Sequence, residues 1–595
     1  MIAQIRSLKV LLLLVLAIAL AGCGGGKSPL SEVFGTAAFT VSWSDTKGDP
    51  FAESATIVIT QNGEPIASQT VDRYQGEPQT IVNFERLRTG ASTAIVTVYP
   101  MAGGGGTPTG QASMPMTITG GANASYAFTT STDDVTWLEM NPTNPEIGVG
   151  DSLQLVATPY NTDDEVVLVP VDGIEWTSSK TIIASVDTNG KVMGLAPGKS
   201  DITATETGTP KSVMVSIPVG YAEWTVLVYM AADNNLEEYA IMDVNEMESI
   251  GSDSKLKIAF QLDRTPGYDE TNGNWTTARR YLATKDADVN IMNSQLIQEL
   301  GEVDMAAPET LASFIQWGTE KYPAYHYLLV LWDHGRGWRS RILLAPLTRE
   351  VKSINVDDTS GTEMSLEALA LALNSNPGLD LDIVCFDACL MQMMEVAYAI
   401  RDYADIMVGS EENVPVVGLP YALLMSKISA DPEISPYALS EGIVDVYLDY
   451  FDPIAGNYTM SALDLTQLDA LVTASDEFAQ AVLANLPAAR TGVRSAQAQA
   501  QRYDYDKNDY RAYKDLYDFA RLVNDLVPVT EVQTSAQSVM SAVDNVIIHE
   551  RNSGEQMAGS HGVSIYLPDP GTSLSAYRVL DWSQDTHWDE LVEGY

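Results

Sequence analysis

The sequence predicts a multidomain chain: two all-β sandwich domains, then an α/β domain with a mostly parallel sheet flanked by helices. Three observations carry that prediction. At 595 residues the chain exceeds what one hydrophobic core can organise. In the first third of the chain, short runs alternate apolar with polar residues between turn signals, the period of half-buried strands. From Glu223 onward, near-continuous apolar runs alternate with segments of helical period, as in a buried parallel sheet covered on both faces.

Arg6 and Lys9 open the chain, and residues 10–22 are uniformly apolar. That run falls short of the ~20 residues a spanning helix needs, so residues 1–22 read as an export signal. Leu20-Ala21-Gly22-Cys23 resembles a bacterial lipobox, which implies acylation of Cys23, a lipid anchor in the cell envelope, and an outer-membrane destination in a cell with two membranes, since Gly24 is not aspartate. The alternative is plain secretion with an incidental cysteine. Residues 23–34, with Gly24-Gly25-Gly26, form a tether.

Residues 35–131 form the first sandwich; the strand at 55–60 runs into Asn62-Gly63, a hairpin signal. No chemistry is visible in this segment. Residues 134–219 form the second. Gly148-Val149-Gly150-Asp151, Ile174-Glu175-Trp176-Thr177 and Gly194-Leu195-Ala196-Pro197-Gly198 resemble bacterial immunoglobulin-like domains of the intimin/invasin type. The resemblance implies an Ig-like sandwich with Trp176 in its core, serving as a spacer or binding a ligand.

In residues 223–595, strands are expected at 224–230, 257–262, 327–332, 379–386 and 563–567, and helices at 237–250, 311–317 and 390–400, with a helix-rich stretch over 430–540.

Composition narrows the function classes. Seventy-nine acids against 34 bases give a net charge of −45. Such a surface repels phosphate backbones, so nucleic acid is no partner. The only cysteines are Cys23, Cys385 and Cys389. Exported proteins use cysteine mainly for disulfides; with Cys23 acylated, a retained thiol points to a nucleophile.

Chemistry gathers where two expected strands end. One finishes Asp333-His334-Gly335, the other Asp387-Ala388-Cys389. A thiol with a pKa of about 8.5 is a weak nucleophile at neutral pH until an imidazole takes its proton. Cys389 precedes the expected helix at 390–400, whose N-terminus favours thiolate. The N–H groups of Gly335 and Cys389 can hold an oxyanion. The competing reading makes a lone His structural and a lone buried Cys a small hydrophobe, which fits Cys385.

Several ordered blocks extend the pattern: Val228-Tyr229-Met230-Ala231-Ala232-Asp233-Asn234-Asn235-Leu236, Leu300-Gly301-Glu302-Val303-Asp304-Met305, Leu331-Trp332-Asp333-His334-Gly335, Phe386-Asp387-Ala388-Cys389 and Gly409-Ser410-Glu411-Glu412. Together they resemble the clostripain-like cysteine peptidases, in the clan of caspases, gingipains and legumains. The resemblance implies a caspase-like domain over 223–595 and catalytic roles for His334 and Cys389. It implies protein or peptide substrates cut after Arg or Lys, no cofactor required for the chemistry, and calcium as a possible ligand.

Asp387 matches a pocket acid of that family. Ser410, Glu411 and Glu412 belong to the pocket loop, and Val417 stands where a second acid is expected. The resemblance also implies self-cleavage in the basic stretch Arg336, Arg339, Arg341, Arg349 and Lys352, which reads equally as a solvated loop. Asp504, Asp506 and Asn508 begin like a calcium loop, but Asp509 and Asp515 depart from it at positions six and twelve. His561-Gly562 repeats the dipeptide before a strand and reads as structural or incidental. A surface adhesin with an idle peptidase fold is the alternative function.

Overall fold

The computed structural model describes residues 34–43, 52–61, 64–74, 77–121, 123–129, 135–338, 354–376, 379, 381–504 and 510–595. Cys23 and the export segment lie outside them, as do Arg339, Arg341, Arg349, Lys352, Asp506, Asn508 and Asp509. The chain divides into two compact units, the first within residues 34–217 and the second comprising 218–595 together with 146–151 and 194–198.

The first unit is all-β. A three-stranded sheet (Gln79–Leu87, Gly35–Ser42, Asn123–Thr129) and a four-stranded one (Glu64–Asp72, Ser54–Gln61, Gly90–Tyr99, Gly110–Ile118) share a core of Phe39, Ile57, Phe84, Val96 and Met114. Every second residue of Gly35–Ser42 is buried, as alternation predicts. In the following strands the buried residues include Val192, Ile202, Ala204 and Ile217. Trp176 is only half-buried, contrary to expectation. A Cβ on Gly190 would stand 2.6 Å from its ring, so the indole packs over a glycine turn rather than inside the sandwich.

The second unit is built on a nine-stranded sheet. Its strands are β1 (Ala222–Ala232), β2 (Leu256–Arg264), β3 (Ala278–Leu282), β4 (Gln295–Gly301), β5 (Ala324–Trp332), β8 (Leu381–Asp387), β9 (Ala404–Gly409), β10 (Tyr458–Asp464) and β12 (Ile547–Ser553). Two small pairs, β6 (Ile354–Asp357) with β7 (Thr362–Met364) and β11 (Tyr513–Asp515) with β13 (Ser564–Tyr566), lie outside it. The order across the sheet is β4-β3-β2-β1-β5-β8-β9-β10-β12.

The five central strands are mutually parallel, and the two at each edge are joined on by antiparallel pairings, so that β3 and β10 run against the central strands and β4 and β12 with them. The sheet is therefore mixed rather than mostly parallel. β1 and β2 are buried over nearly their whole length, which explains their continuous apolar runs.

The helices are α1 (Glu237–Glu248), α2 (Pro308–Lys321), α3 (Leu366–Asn374), α4 (Met394–Ile400), α5 (Tyr421–Ala430), α6 (Pro436–Phe451), α7 (Leu468–Ala484), α8 (Leu486–Gln499), α9 (Leu516–Leu526), α10 (Thr530–Val546), α11 (Asp581–Asp585) and α12 (Trp588–Gly594). Leu227, Tyr229, Leu329, Leu331, Val384 and Phe386 share one core with α2, α3, α4 and α7–α10. The alternate residues Val228, Val330 and Ile383 are equally buried; α1, α5 and α6 pack on one another and on the sheet. Ser365 caps α3 and Ser435 caps α6, each hydroxyl accepting from the third amide onward. Among the described residues no helix is long and apolar enough to cross a membrane.

Candidate active site

β5 and β8 are neighbours in parallel register, with Trp332 paired to Asp387 and the Asp333 amide donating to the Asp387 carbonyl at 3.3 Å. His334 and Cys389 each stand two residues past that pair, at the carboxyl edge where open α/β sheets collect functional groups. Gly335 closes the approach. A Cβ on it would meet the Cys389 carbonyl oxygen, lie 2.8 Å from the Cys389 nitrogen and 2.9 Å from Ala388 Cβ. The glycine thus lets the His334 strand end lie directly against the backbone of Cys389.

His334 and Cys389 are both half-buried. His334 Nε2 lies 3.1 Å from Asn235 Oδ1, a contact in which the Nε2–H tautomer donates to the amide oxygen. Behind the histidine, Asp333 is buried and receives the Asn234 amide at 2.8 Å and the Val356 N–H. Burial pushes its carboxyl well up despite those bonds. Downstream, the Tyr513 hydroxyl donates to the Arg336 carbonyl at 2.6 Å, and Trp338 packs edge-on against Tyr566 and Tyr577. Arg336 pairs with Glu363 at 2.7 Å.

Cys389 does not start a helix. Leu390 takes φ 63°, a left-handed turn, and α4 begins only at Met394. The expected helix at 390–400 is shortened because 390–393 run between two neighbours. The Leu390 amide donates to the Glu412 carbonyl, Gln392 N–H to the Ser410 carbonyl, and Ser564 N–H to the Gln392 carbonyl. Helix-dipole support for a Cys389 thiolate is therefore absent. The Cys389 thiol instead faces the Val414 carbonyl at 3.6 Å. Cys385 is fully buried in β8, and burial together with Asp387 pushes its thiol far up; the two thiols are chemically distinct.

Asp387 is buried, and its Oδ2 accepts from the Leu419 amide and the Tyr421 hydroxyl, both at 3.0 Å. Gly418, at φ 62°, lays its backbone over that carboxylate, where a Cβ would stand 2.6 Å from Oδ2. The adjoining Val417 is buried. Nothing in the sequence singled out Tyr447. Its hydroxyl is buried without a hydrogen-bond partner, and burial, Asp387 and Cys389 push the phenol well up. Asn235 was missed too, although it sits in a quoted motif, because its contact spans 99 residues.

The loop acids are scaffold. Glu412 accepts from the Asn413 and Asp504 amides, and burial raises it to about 6. Glu411 receives the Tyr503 hydroxyl at 2.7 Å, and burial beside Asp515 raises it strongly. The Ser410 hydroxyl bonds the Glu412 backbone and Thr459.

Asp515 is not the last ligand of a calcium loop: it caps α9, accepting the Asp518 amide at 2.7 Å, and accepts the His561 amide at 2.7 Å. His561 stacks on Tyr517 with centroids 4.3 Å apart, so it is structural rather than incidental. Asp504 accepts from Asn413 Nδ2 and the Tyr510 amide.

Comparison with known proteins places the chain among the cysteine endopeptidases. Residues 228–595, more than half of the chain, match the model of the Clostripain family, and the chain belongs to that family. Residues 134–215 match the bacterial Ig-like domain (group 2). Clostripain of Hathewaya histolytica is 22% identical over 431 residues, covering 62% of this chain and 79% of that protein. A secreted C11 cysteine protease of Bacteroides thetaiotaomicron, "iotapain", aligns at a TM-score of 0.48 and 20% identity, over 62% of this chain and all of that one. A secreted C11 protease of the same organism, in complex with an irreversible peptide inhibitor, aligns at 0.45 and 23% identity, over 62% of this chain and all of that one.

Proposed function

We propose that this cysteine endopeptidase is a lipid-anchored protein of the cell envelope that cleaves after Arg or Lys through Cys389 and His334. The observation that carries the dyad is the register of β5 on β8, which brings the two residues to neighbouring strand ends with Gly335 against the Cys389 backbone. Anchoring rests on Cys23 and the apolar run before it.

His334 Nδ1 takes the Cys389 proton as sulfur bonds to the scissile carbonyl carbon, and the carbonyl electron pair moves onto oxygen. The N–H groups of Gly335 and Cys389 hold that oxyanion. Collapse expels the amine, which leaves with the proton from His334, and a thioester remains. His334 then deprotonates the water that hydrolyses it. Asn235 holds the imidazole in the tautomer this needs.

Asp387, steadied by Leu419 and Tyr421, is the acid that receives a substrate guanidinium or ammonium. Val417 leaves it without a second carboxylate at that position, and Glu411 and Glu412 do not replace one because their carboxylates bind the protein itself. Val417 therefore loosens discrimination between Arg and Lys.

The test assays fluorogenic peptides ending in Arg, Lys, Ala and Leu on the full chain beside a Cys389→Ala control. Turnover after Arg and Lys that disappears in the control is the expected result. Turnover that survives in the control, or cleavage confined to apolar residues, overturns the dyad or the pocket respectively.

A further inference from the structure

On the same edge of the sheet as His334, four carboxylates converge from four separate segments. They are Asp233 just past β1, Asp263 in β2, Glu302 just past β4 and Asp357 closing β6, and one oxygen from each lies within 4.8 Å of the others. Asp233, Asp263 and Asp357 are fully buried, and Glu302 is exposed. Buried like charges so close repel strongly and stay only if something neutralises them.

Protein groups do so only in part. Asp233 uses Oδ2 to accept the Thr359 amide, Asp263 uses Oδ1 for the Arg264 amide, and Asp357 accepts from Ser360 and Met305. Asp233 Oδ1 and Asp263 Oδ2 are buried with no hydrogen-bond partner. The Arg264 guanidinium is committed to Glu237, Asp269 and the Thr271 carbonyl, and that of Arg280 to Gln261, Gln298 and Ser313.

We propose that Asp233, Asp263, Glu302 and Asp357 bind one hard divalent cation of calcium size. Donors that are all oxygen select such an ion over soft metals. Oxygens on opposite sides of calcium stand up to about 5 Å apart, and those around octahedral magnesium about 4 Å; separations within 4.8 Å accommodate the larger ion. Glu302, being exposed, supplies the entrance.

The ion also ties the β6 segment to the histidine. The Asp358 amide donates to the Asp233 carbonyl at 2.8 Å, and Asn234 bridges Asp333 and the Val356 carbonyl. Asn235, which holds His334, is the next residue. A filled site thus fixes the strand end that orients the imidazole.

The test is isothermal titration calorimetry on the full-length Cys389→Ala chain, stripped with EGTA and titrated with calcium chloride or magnesium chloride. Because the readout is binding rather than turnover, the result is independent of the peptidase reading. One calcium per chain is expected with a Kd of about 1 mM or tighter, the range of extracellular calcium modules, and magnesium at least about tenfold weaker. Glu302→Gln, at an exposed position where folding is not at stake, should weaken calcium binding at least about tenfold, since one of four charged ligands is lost. Asp263→Asn should abolish it. Absence of calcium binding in the parent, or equal binding by Glu302→Gln, overturns the proposal.

Discussion

Replacing Gly335 by alanine tests whether the close approach of two strand ends makes the site. The new methyl would lie 2.8 Å from the Cys389 nitrogen and 2.9 Å from Ala388 Cβ, and closer still to the Cys389 carbonyl oxygen. None of these atoms belongs to a flexible side-chain end. Ordinary contact begins near 3.4 Å, so the two loops must part by at least about 0.6 Å, because repulsion rises steeply inside contact distance. A misplacement of about 1 Å in a reacting pair costs on the order of 100-fold in rate. Overpacking of this kind costs about 1–3 kcal/mol of stability.

Gly335→Ala should therefore lower kcat/KM on an Arg peptide by roughly 30- to 100-fold, scaled from that figure, with a modest loss in urea unfolding. Gly571→Ala is the control. Gly571 has φ 84° and nothing within 4 Å of a Cβ, so alanine there should cost about 1–2 kcal/mol of backbone strain and leave kcat/KM unchanged. If Gly335→Ala keeps kcat/KM within threefold of the parent, the apposition of His334 and Cys389 through Gly335 is wrong.

Three further outcomes are expected. Asp387→Asn should reduce kcat/KM on Arg and Lys peptides by about 100-fold or more, since an unpaired buried charge costs about 3–5 kcal/mol, while an apolar substrate loses little; equal losses on both would make Asp387 purely structural. Iodoacetamide on the folded chain, read by mass spectrometry, should modify Cys389 and spare Cys385, whose thiol is buried and pushed up; comparable labelling would refute that contrast. Burial raises Glu395 from 4.5 to about 7 although it accepts from the Tyr566 amide and the Tyr577 hydroxyl. The fold thus favours its protonated form, and its contribution is fully present below pH 4.5 and lost as pH rises through about 7. The loss is about 3 kcal/mol at 1.36 per unit. Urea unfolding at pH 5 and pH 8 should show Glu395→Gln gaining on the parent at the higher pH; no relative change refutes the sign.

Four of the five central strands were legible because burial on both faces writes itself as continuous apolar sequence, as in β1 and β5, whereas the short β9 was not singled out. The edge strands were not. β4 is exposed on both faces for much of its length, and every residue of β12 is half-buried, so neither carries an alternating signal. The segment 390–400 misled because nearly all of it is buried, and helical spacing of apolar residues is met trivially there. The left-handed Leu390 and the extended Met393 break it, conformations set by the neighbouring segments at Glu412 and Ser564. His334 and Cys389 could be located because each sits at a strand end. Asn235, Tyr447 and the four converging acids could not, since they meet through tertiary contacts with no fixed spacing.

The order of strands has a consequence for how this enzyme comes into being. Strands β1–β5, drawn from residues 222–332, occupy one half of the sheet, while β8, β9, β10 and β12, from residues 381–553, occupy the other. The seam between the halves is the β5–β8 pairing, with the imidazole on one bank and the thiol on the other. On the dyad proposed above, neither half alone carries both residues, so a nascent chain would stay catalytically silent until its second half has docked. The same partition makes the molecule a natural split enzyme, whose activity reports the joining of two pieces rather than the folding of either.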